Sequence, residues 1–421
     1  MPSFSASRTT DPVKPLGSRH RWVVLGVGVA AQASFAAAFA GIPVTGTLLR
    51  TAYHLTTGEL GVVLAAILLG VAASEIVWGL FTDMFGDRRV LLIGLISTGL
   101  VFVVMAVFVV PSEARVPSVW LLAGGLLLVG LLGGSVNSSS GRAVMLWFTD
   151  GQRGFAMSVR QTAIPAGGAI GAALLPWLAA FSGFRAVFLV LAGFCLATAL
   201  ATARWLREPR EEPNPVGPIA AGDPAQGRSP LVRWDCWRIA LASALLTMPQ
   251  IAILGFAGIY LHDVKHADLI VISATILTVQ VGGAVLRVWS GRYTDRKGNR
   301  RRFVTVIGLL TGGSLLAAVS LLWAPTVVVA LALVVAGILA NSWHGVAYTE
   351  MAVMAGTSRA GAALGLENTT AFTGAFVTPL LVPLLLAIGS WPLAWAVIAI
   401  APLVAAPLVP RTISAVTTRH D

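Results

Sequence analysis

Gly291-Arg292-Tyr293-Thr294-Asp295-Arg296-Lys297-Gly298-Asn299-Arg300-Arg301 decides the fold, because it has a twin. The same skeleton stands 212 residues earlier as Gly79-Leu80-Phe81-Thr82-Asp83-Met84-Phe85-Gly86-Asp87-Arg88-Arg89. Each copy runs glycine, aspartate four later, glycine three after that, then a pair of arginines. Each also lies between two apolar runs long enough to cross a bilayer. A charged turn repeated once, halfway through a hydrophobic chain, points to the duplication of one unit.

Composition says what kind of unit. Of 421 residues, 56% are hydrophobic and only 11% charged, and the mean hydropathy is +0.82. A soluble domain is near a quarter charged, so this chain is expected to be an all-α integral membrane protein. The net charge of +11 does not indicate nucleic acid, because the basic residues fall in the short breaks between apolar runs and form no stripe with interleaved aromatics. Cys195 and Cys236 offer no disulfide framework and no metal spacing. No metal or cofactor is expected, and no glycine-rich loop followed by lysine suggests ATP. The polar start, with Pro2, Pro12 and Pro15, reads as a cytoplasmic tail and not a signal peptide.

A ruler of ~20 apolar residues per crossing gives twelve spans: 22–43, 59–81, 90–110, 118–141, 154–180, 185–206, 237–260, 269–290, 303–323, 326–350, 360–386 and 391–409. With the amino terminus inside, 23 of the 29 lysines and arginines fall in cytoplasmic segments and four outside, the other two lying within spans. That asymmetry predicts both termini in the cytoplasm. The longest break, 207–236, is rich in proline, glycine, glutamate and arginine and reads as a cytoplasmic linker. The expected organisation is a tail 1–21, a six-helix half 22–206, the linker, a second half 237–409 and a tail 410–421. Nothing in the sequence demands more than a monomer in membrane lipid.

The repeat extends beyond the turn. Asn137-Ser138-Ser139-Ser140-Gly141 in span four matches Asn341-Ser342-Trp343-His344-Gly345 in span ten, and Arg160-Gln161-Thr162 in span five matches Glu367-Asn368-Thr369 in span eleven. Such parallel repeats are related by an axis along the membrane normal. On these motifs the chain resembles the major facilitator superfamily over all twelve spans. The second turn keeps the signature at Gly291, Asp295, Arg296, Gly298 and Arg300 and departs at Asn299; the first keeps Gly79, Asp83, Gly86 and Arg88, with Met84 and Asp87 at usually basic positions. Gly141 to Pro165 is similar to uncharacterised bacterial members and loosely to the cyanate-permease and anion-porter branches. Pro165-Ala166-Gly167-Gly168 resembles the family's fifth-span antiporter motif but lacks its leading glycine and is one residue short. The resemblance implies two pseudo-symmetric six-helix halves that rock about a central site. It also implies charged turns that latch the cytoplasmic side; Asp83 and Asp295 stand where a carboxylate accepts from a facing helix N-terminus or pairs with a nearby arginine such as Arg142.

The chemistry is expected at four charges deep in apolar spans: Glu75, Arg160, Arg287 and Glu367. Each costs ~2.5–3.5 kcal/mol or more at mid-helix and calls for a reason. The repeat offsets relate Glu75 to Arg287 and Arg160 to Glu367, so the expectation is two carboxylate–guanidinium pairs across the halves. Arg287, four residues before Gly291 and eight before Asp295, resembles the eighth-span arginine of nitrate porters and monocarboxylate transporters. Nitrate porters place a second arginine where this chain has Glu75. Arg287 reads either as the ligand of an anion or as one member of a gate with Glu75; Glu75 and Glu367 as proton-coupling groups; and Arg160 with Glu367 as a gate. The remaining gate candidates are the turn residues and Arg142. In the family, spans one, four, seven and ten line the cavity, which adds Gln32, Asn137, Gln250, Asn341 and His344 as candidate substrate contacts.

The function expected from this is secondary active transport of a small organic or inorganic anion, coupled to protons as in a symporter. The alternatives are an exporter of hydrophobic or cationic drugs, which pairing of the acids with arginines would disfavour, and a membrane receptor. An enzyme is not expected, since no nucleophile–base or ligand constellation appears.

Overall fold

A computed structural model describes residues 19–113, 115–208 and 228–410. The two expected tails, apart from a few residues, and most of the expected linker lie outside them. Fifteen α-helices follow one another among the described residues: α1 (His20–Phe39), α2 (Gly46–Ala52), α3 (Thr57–Phe85), α4 (Asp87–Phe108), α5 (Val119–Gly133), α6 (Ser135–Trp147), α7 (Arg153–Gln161), α8 (Ala163–Trp205), α9 (Trp234–Asp263), α10 (Leu269–Lys297), α11 (Arg300–Ser320), α12 (Thr326–Ala340), α13 (His344–Ala355), α14 (Ala360–Ile388) and α15 (Trp391–Leu408).

Eleven helical stretches are long and apolar enough to cross a membrane. One of them, 153–205, has 53 residues, more than twice the ~20 that one crossing needs. It folds back at Gly183, whose φ of 71° only glycine adopts freely. Twelve spans result, in two pseudo-symmetric six-helix halves.

Four expected spans are interrupted, two of them beside prolines at 43 and 165 that read as kinks in the sequence. The first turns at Gly41–Pro43 and continues as α2; the fourth breaks at Gly134, the fifth at Thr162 and the tenth at 341–343. In lipid such breaks are tolerated only where other groups satisfy the freed backbone, and the breaks in the fourth, fifth and tenth spans lie beside carbonyls that the buried arginines bond.

The apolar core is split in the same way. One cluster lies within 24–206 and a second within 252–399. A smaller one joins Met145 and Met157 to Trp343, Val346, Tyr348 and Leu364 across the seam.

The halves meet at two crossings, α3 on α14 and α10 on α7. A Cβ on Gly79 would run into the Gly361 carbonyl, and one on Gly291 into the Gly154 carbonyl, so only glycine permits this approach. Beside each glycine the aspartate of the charged turn caps a helix of the opposite half. Asp83 accepts from the Gly361 and Ala362 amides at 2.8 Å each. Asp295 accepts from Gly154 at 3.0 Å and Phe155 at 2.8 Å. A carboxylate at the positive end of a helix satisfies orphan N–H groups and meets a favourable dipole. The face carrying both turns is thereby shut.

Candidate functional site

The four deep charges are almost fully buried, with Glu75 and Glu367 at 0%, Arg160 at 1% and Arg287 at 2% exposure. The expected pairs do not form. Among the described residues no ion pair joins any of the four. The physical reason is the symmetry itself: a repeat offset relates equivalent places in the two halves, not places that touch. Because α3 crosses α14 and α10 crosses α7, Glu75 faces the Asn368 side and Arg287 faces Gln161. The Asn368 amide comes close to Glu75 without reaching hydrogen-bond geometry.

In the N-terminal half, acid and base share one network. Arg160 donates through Nε to Ser140 Oγ at 2.9 Å and through Nη2 to Gln32 Oε1 at 2.7 Å and the Asn137 carbonyl at 2.6 Å. Gln32 Nε2 donates to Asn137 Oδ1 at 2.7 Å. The Asn137 amide donates in turn to Glu75 Oε1, and Ser138 Oγ to Oε2 at 3.0 Å. The break at Gly134 turns this polar run of α6 inward, where Asn137 bridges the two charges.

The C-terminal half has two separate pieces. Arg287 donates through Nε to the Asn341 carbonyl at 2.9 Å and through Nη2 to Asn341 Oδ1 at 3.3 Å, with His344 Nδ1 at 3.4 Å. Its Nη1 reaches across the seam to the Gln161 carbonyl at 2.8 Å. Glu367 stands apart, accepting from Ser243 Oγ at 2.8 Å, while its Oε2 is buried without a hydrogen-bond partner. The preceding residue, Leu366, belongs to an apolar cluster with Ile239 and Met351.

The other candidates fall in different places. His344 is buried and stacks on Trp343 with ring centroids 3.9 Å apart. Gln250, on α9, keeps a buried Oε1 without a partner. Arg142 holds Asp83 at 3.1 Å and Asp87 at 2.8 Å within its own half, whereas Arg300 bridges Asp295 at 3.2 Å to Asp150 of the other half at 2.9 Å. Arg300 keeps the exposed Asp150 carboxyl below its ordinary range. Gly86 and Gly298 have positive φ and end α3 and α10. Arg88 bonds the Ala203 carbonyl of its own half, and Arg296 is exposed. Neither reaches across the seam.

Sequence reasoning missed Ser243 and Tyr348. Tyr348 lies within electrostatic reach of all four deep charges, and its place one turn after His344 was the available signal. Ser243 is one residue from the position that the 212-residue offset assigns to Gln32, so the repeat held that clue. On the side of the charge layer away from the turns, Phe39 meets Phe372 edge to face at 5.7 Å. This contact between the halves is thinner than the two crossings.

The family model described as Major Facilitator Superfamily matches residues 24–372. The chain belongs to the Major Facilitator Superfamily. It is a multi-pass membrane transporter of that family. An uncharacterized MFS-type transporter of Mycobacterium tuberculosis is 32% identical over 401 residues, 94% of this chain and 86% of the relative. A probable sulfoacetate transporter of Cupriavidus necator is 24% identical over 62% of each chain. Among solved structures, a proton:xylose symporter bound to a bromodeoxyglucose superposes with a TM-score of 0.75 at 15% identity, covering 94% of this chain and 97% of that one. At that identity the superposition speaks for the fold alone.

Proposed function

We propose that this superfamily member is a secondary active transporter of a small organic or inorganic anion, working by alternating access and coupled to protons through Glu75 and Glu367. One observation carries the reading: Arg160 and Arg287, from opposite halves, are buried within membrane-spanning helices, with no carboxylate at ion-pair distance among the described residues. Their partners are amides, carbonyls, a hydroxyl, the Met157 sulfur and the His344 imidazole. A planar guanidinium with no carboxylate partner is a ready donor to a carboxylate or oxyanion. The relative named for sulfoacetate supports an anion. The basic loops support a cytoplasmic position for the charged turns and both termini. In that orientation the shut face is the cytoplasmic one, and the site opens outward once Phe39 and Phe372 part. The rocking bodies would be 22–206 and 237–409, acting as a monomer in lipid.

The test is thermal stabilisation of purified protein by small anions, cations and drug-like molecules at pH 5.5 and 7.5, with Arg287→Ala alongside. A carboxylate or oxyanion should stabilise the wild type, more at the lower pH, and lose its effect in the variant. A second reading gains from the absence of the expected pairs. Glu367, half-satisfied among apolar neighbours, is the kind of acid that could draw a hydrophobic cation, and arginine mates no longer argue against an exporter. Stabilisation only by cations, undiminished in Arg287→Ala and lost in Glu367→Gln, would select it.

A further inference from the structure

α7 ends at Gln161, and the Thr162 N–H is shared between the Ser158 and Val159 carbonyls at 3.2 and 3.1 Å. In an unbroken helix the N–H of residue 165 would take the Gln161 carbonyl. Residue 165 is proline and has no N–H. The freed carbonyl is taken from the other half, by Arg287 Nη1 at 2.8 Å. The same guanidinium holds the broken tenth span through the Asn341 carbonyl and side chain. One planar fork thus ties an interrupted helix of each half to the other.

At the second crossing a neutral hydroxyl makes the link, Thr369 Oγ1 donating to the Ala72 carbonyl at 3.1 Å, and among the described residues no guanidinium takes a carbonyl there. The 207-residue offset places Phe372 where Pro165 stands, so the turn of α14 equivalent to the one below Pro165 keeps its N–H; Pro379 and Pro383 interrupt the ladder only further along α14. The tie is confined to the α10–α7 crossing, on the site side of the Gly291–Asp295 latch.

We propose that Pro165 is a positioning residue. By freeing the Gln161 carbonyl it gives Arg287 a neutral stand-in acceptor that holds the halves together while the charged-turn face is shut, and an anionic substrate takes Nη1 from that carbonyl as the halves part. The exchange rests on the anion reading; the tie rests on the geometry. A neutral carbonyl suits the task, because a hydrogen bond between two charged groups is the stronger one and an arriving anion can displace it.

Spin labels at Thr149 and Ser358, exposed on the charged-turn face of opposite halves, report the separation by pulsed dipolar spectroscopy in a Cys195→Ala/Cys236→Ala background. Pro165→Ala supplies the missing N–H, draws the Gln161 carbonyl into the helix and should raise the open-to-closed ratio about tenfold, the equivalent of one charge-assisted hydrogen bond. Arg287→Lys, a point charge that cannot serve both acceptors, should do the same, and the double variant should go no further than either. An unchanged distance distribution in Pro165→Ala, or effects that add in full, would overturn the tie. Should Arg287→Lys not fold, Pro165→Gly decides. It restores the same N–H without favouring the helix, so opening in both Pro165 variants supports the tie, and opening in alanine alone refutes it.

Acetate, oxalate, sulfate and phosphate then probe the exchange. An anion that stabilises the wild type and shifts its label distances, but leaves the double variant unmoved, supports it. If none acts while Pro165→Ala still opens the face, the exchange and the anion reading fail and the tie stands. If anions stabilise the wild type while Pro165→Ala is silent, the tie fails and the anion reading survives.

Discussion

In the N-terminal half the buried acid and the buried base are joined through Asn137, with Gln32 closing the ring; in the C-terminal half Arg287 and Glu367 have separate partners. Both halves descend from one unit, and both place an asparagine at the break of the fourth or tenth span. What differs is the side chain opposite it. Asn137 points its amide at Glu75, whereas Asn341 turns its amide to the Gly337 carbonyl and its oxygen to Arg287. Inverting the charge at one position has rewired everything bonded to it. The N-terminal network is a closed set, its charges internally bridged. The C-terminal set is open, with one guanidinium reaching over the seam and one carboxyl half-satisfied, so the moving chemistry is expected there.

The sharpest attack on this contrast is Arg160→Ala. It strips the charged donor from Gln32, the Asn137 carbonyl and Ser140 and removes the nearby positive charge from Glu75, which keeps Asn137 and Ser138, so a loss of about 3–5 kcal/mol is expected from several charge-assisted hydrogen bonds at once. It would be read as a large fall in melting temperature with transport abolished. A fall no greater than that of Arg287→Ala would show that the closed network is not the more structural one.

Next in size are the crossings, where the halves should behave alike. Gly79→Val and Gly291→Val each drive a side chain into a backbone carbonyl that cannot yield, and overpacking of this kind costs about 1–3 kcal/mol. Both variants should shift the equilibrium toward an open charged-turn face by similar amounts, measured by cysteine accessibility there. A large effect from one alone would mean that a single crossing carries the closed state.

The acids should separate the halves again. In Glu75→Gln an amide N–H faces the donors of Asn137 and Ser138, and a mismatched buried pair costs about 1–3 kcal/mol. Glu367→Gln keeps the Ser243 bond and leaves unpaired an atom that already was, so its stability should stay within about 0.5 kcal/mol of wild type. Thermal melts of the two variants side by side check the difference.

The smallest effect belongs to Asp150, mostly exposed opposite Arg300. Its pKa is depressed in the folded protein, so its contribution is present above the unfolded carboxylate value near 4 and fades as pH falls through the lower folded value. Asp150→Asn should cost at most about 0.5 kcal/mol at pH 7 after screening, and nothing in a melt at the acidic end.

The sequence made the crossings readable because their signal is covalent: a glycine where no Cβ fits, an aspartate four residues on, and the same pair again 212 residues later. It also showed which charges are buried, since apolar runs cannot hide an arginine. It did not show who bonds whom. The offset that relates Glu75 to Arg287 states equivalence, and equivalence across an axis is not contact. Nor could hydropathy reveal the break at Gly134 or at 341–343, since each span taken whole stays apolar enough to cross, polar run included. Those breaks bring the Asn137 and Asn341 carbonyls to the arginines.

The described ends of the connection between the halves have a consequence of their own. On one side Trp147 holds the Arg207 carbonyl and Arg88 the Ala203 carbonyl. On the other, Arg233 holds the Met354 carbonyl and Trp237 the Leu231 carbonyl. Each end is moored to its own body, so no covalent strain need pass between them, and the seam alone recognises its partner. Expressed as two polypeptides divided within 209–227, the bodies should find each other in the membrane and co-purify.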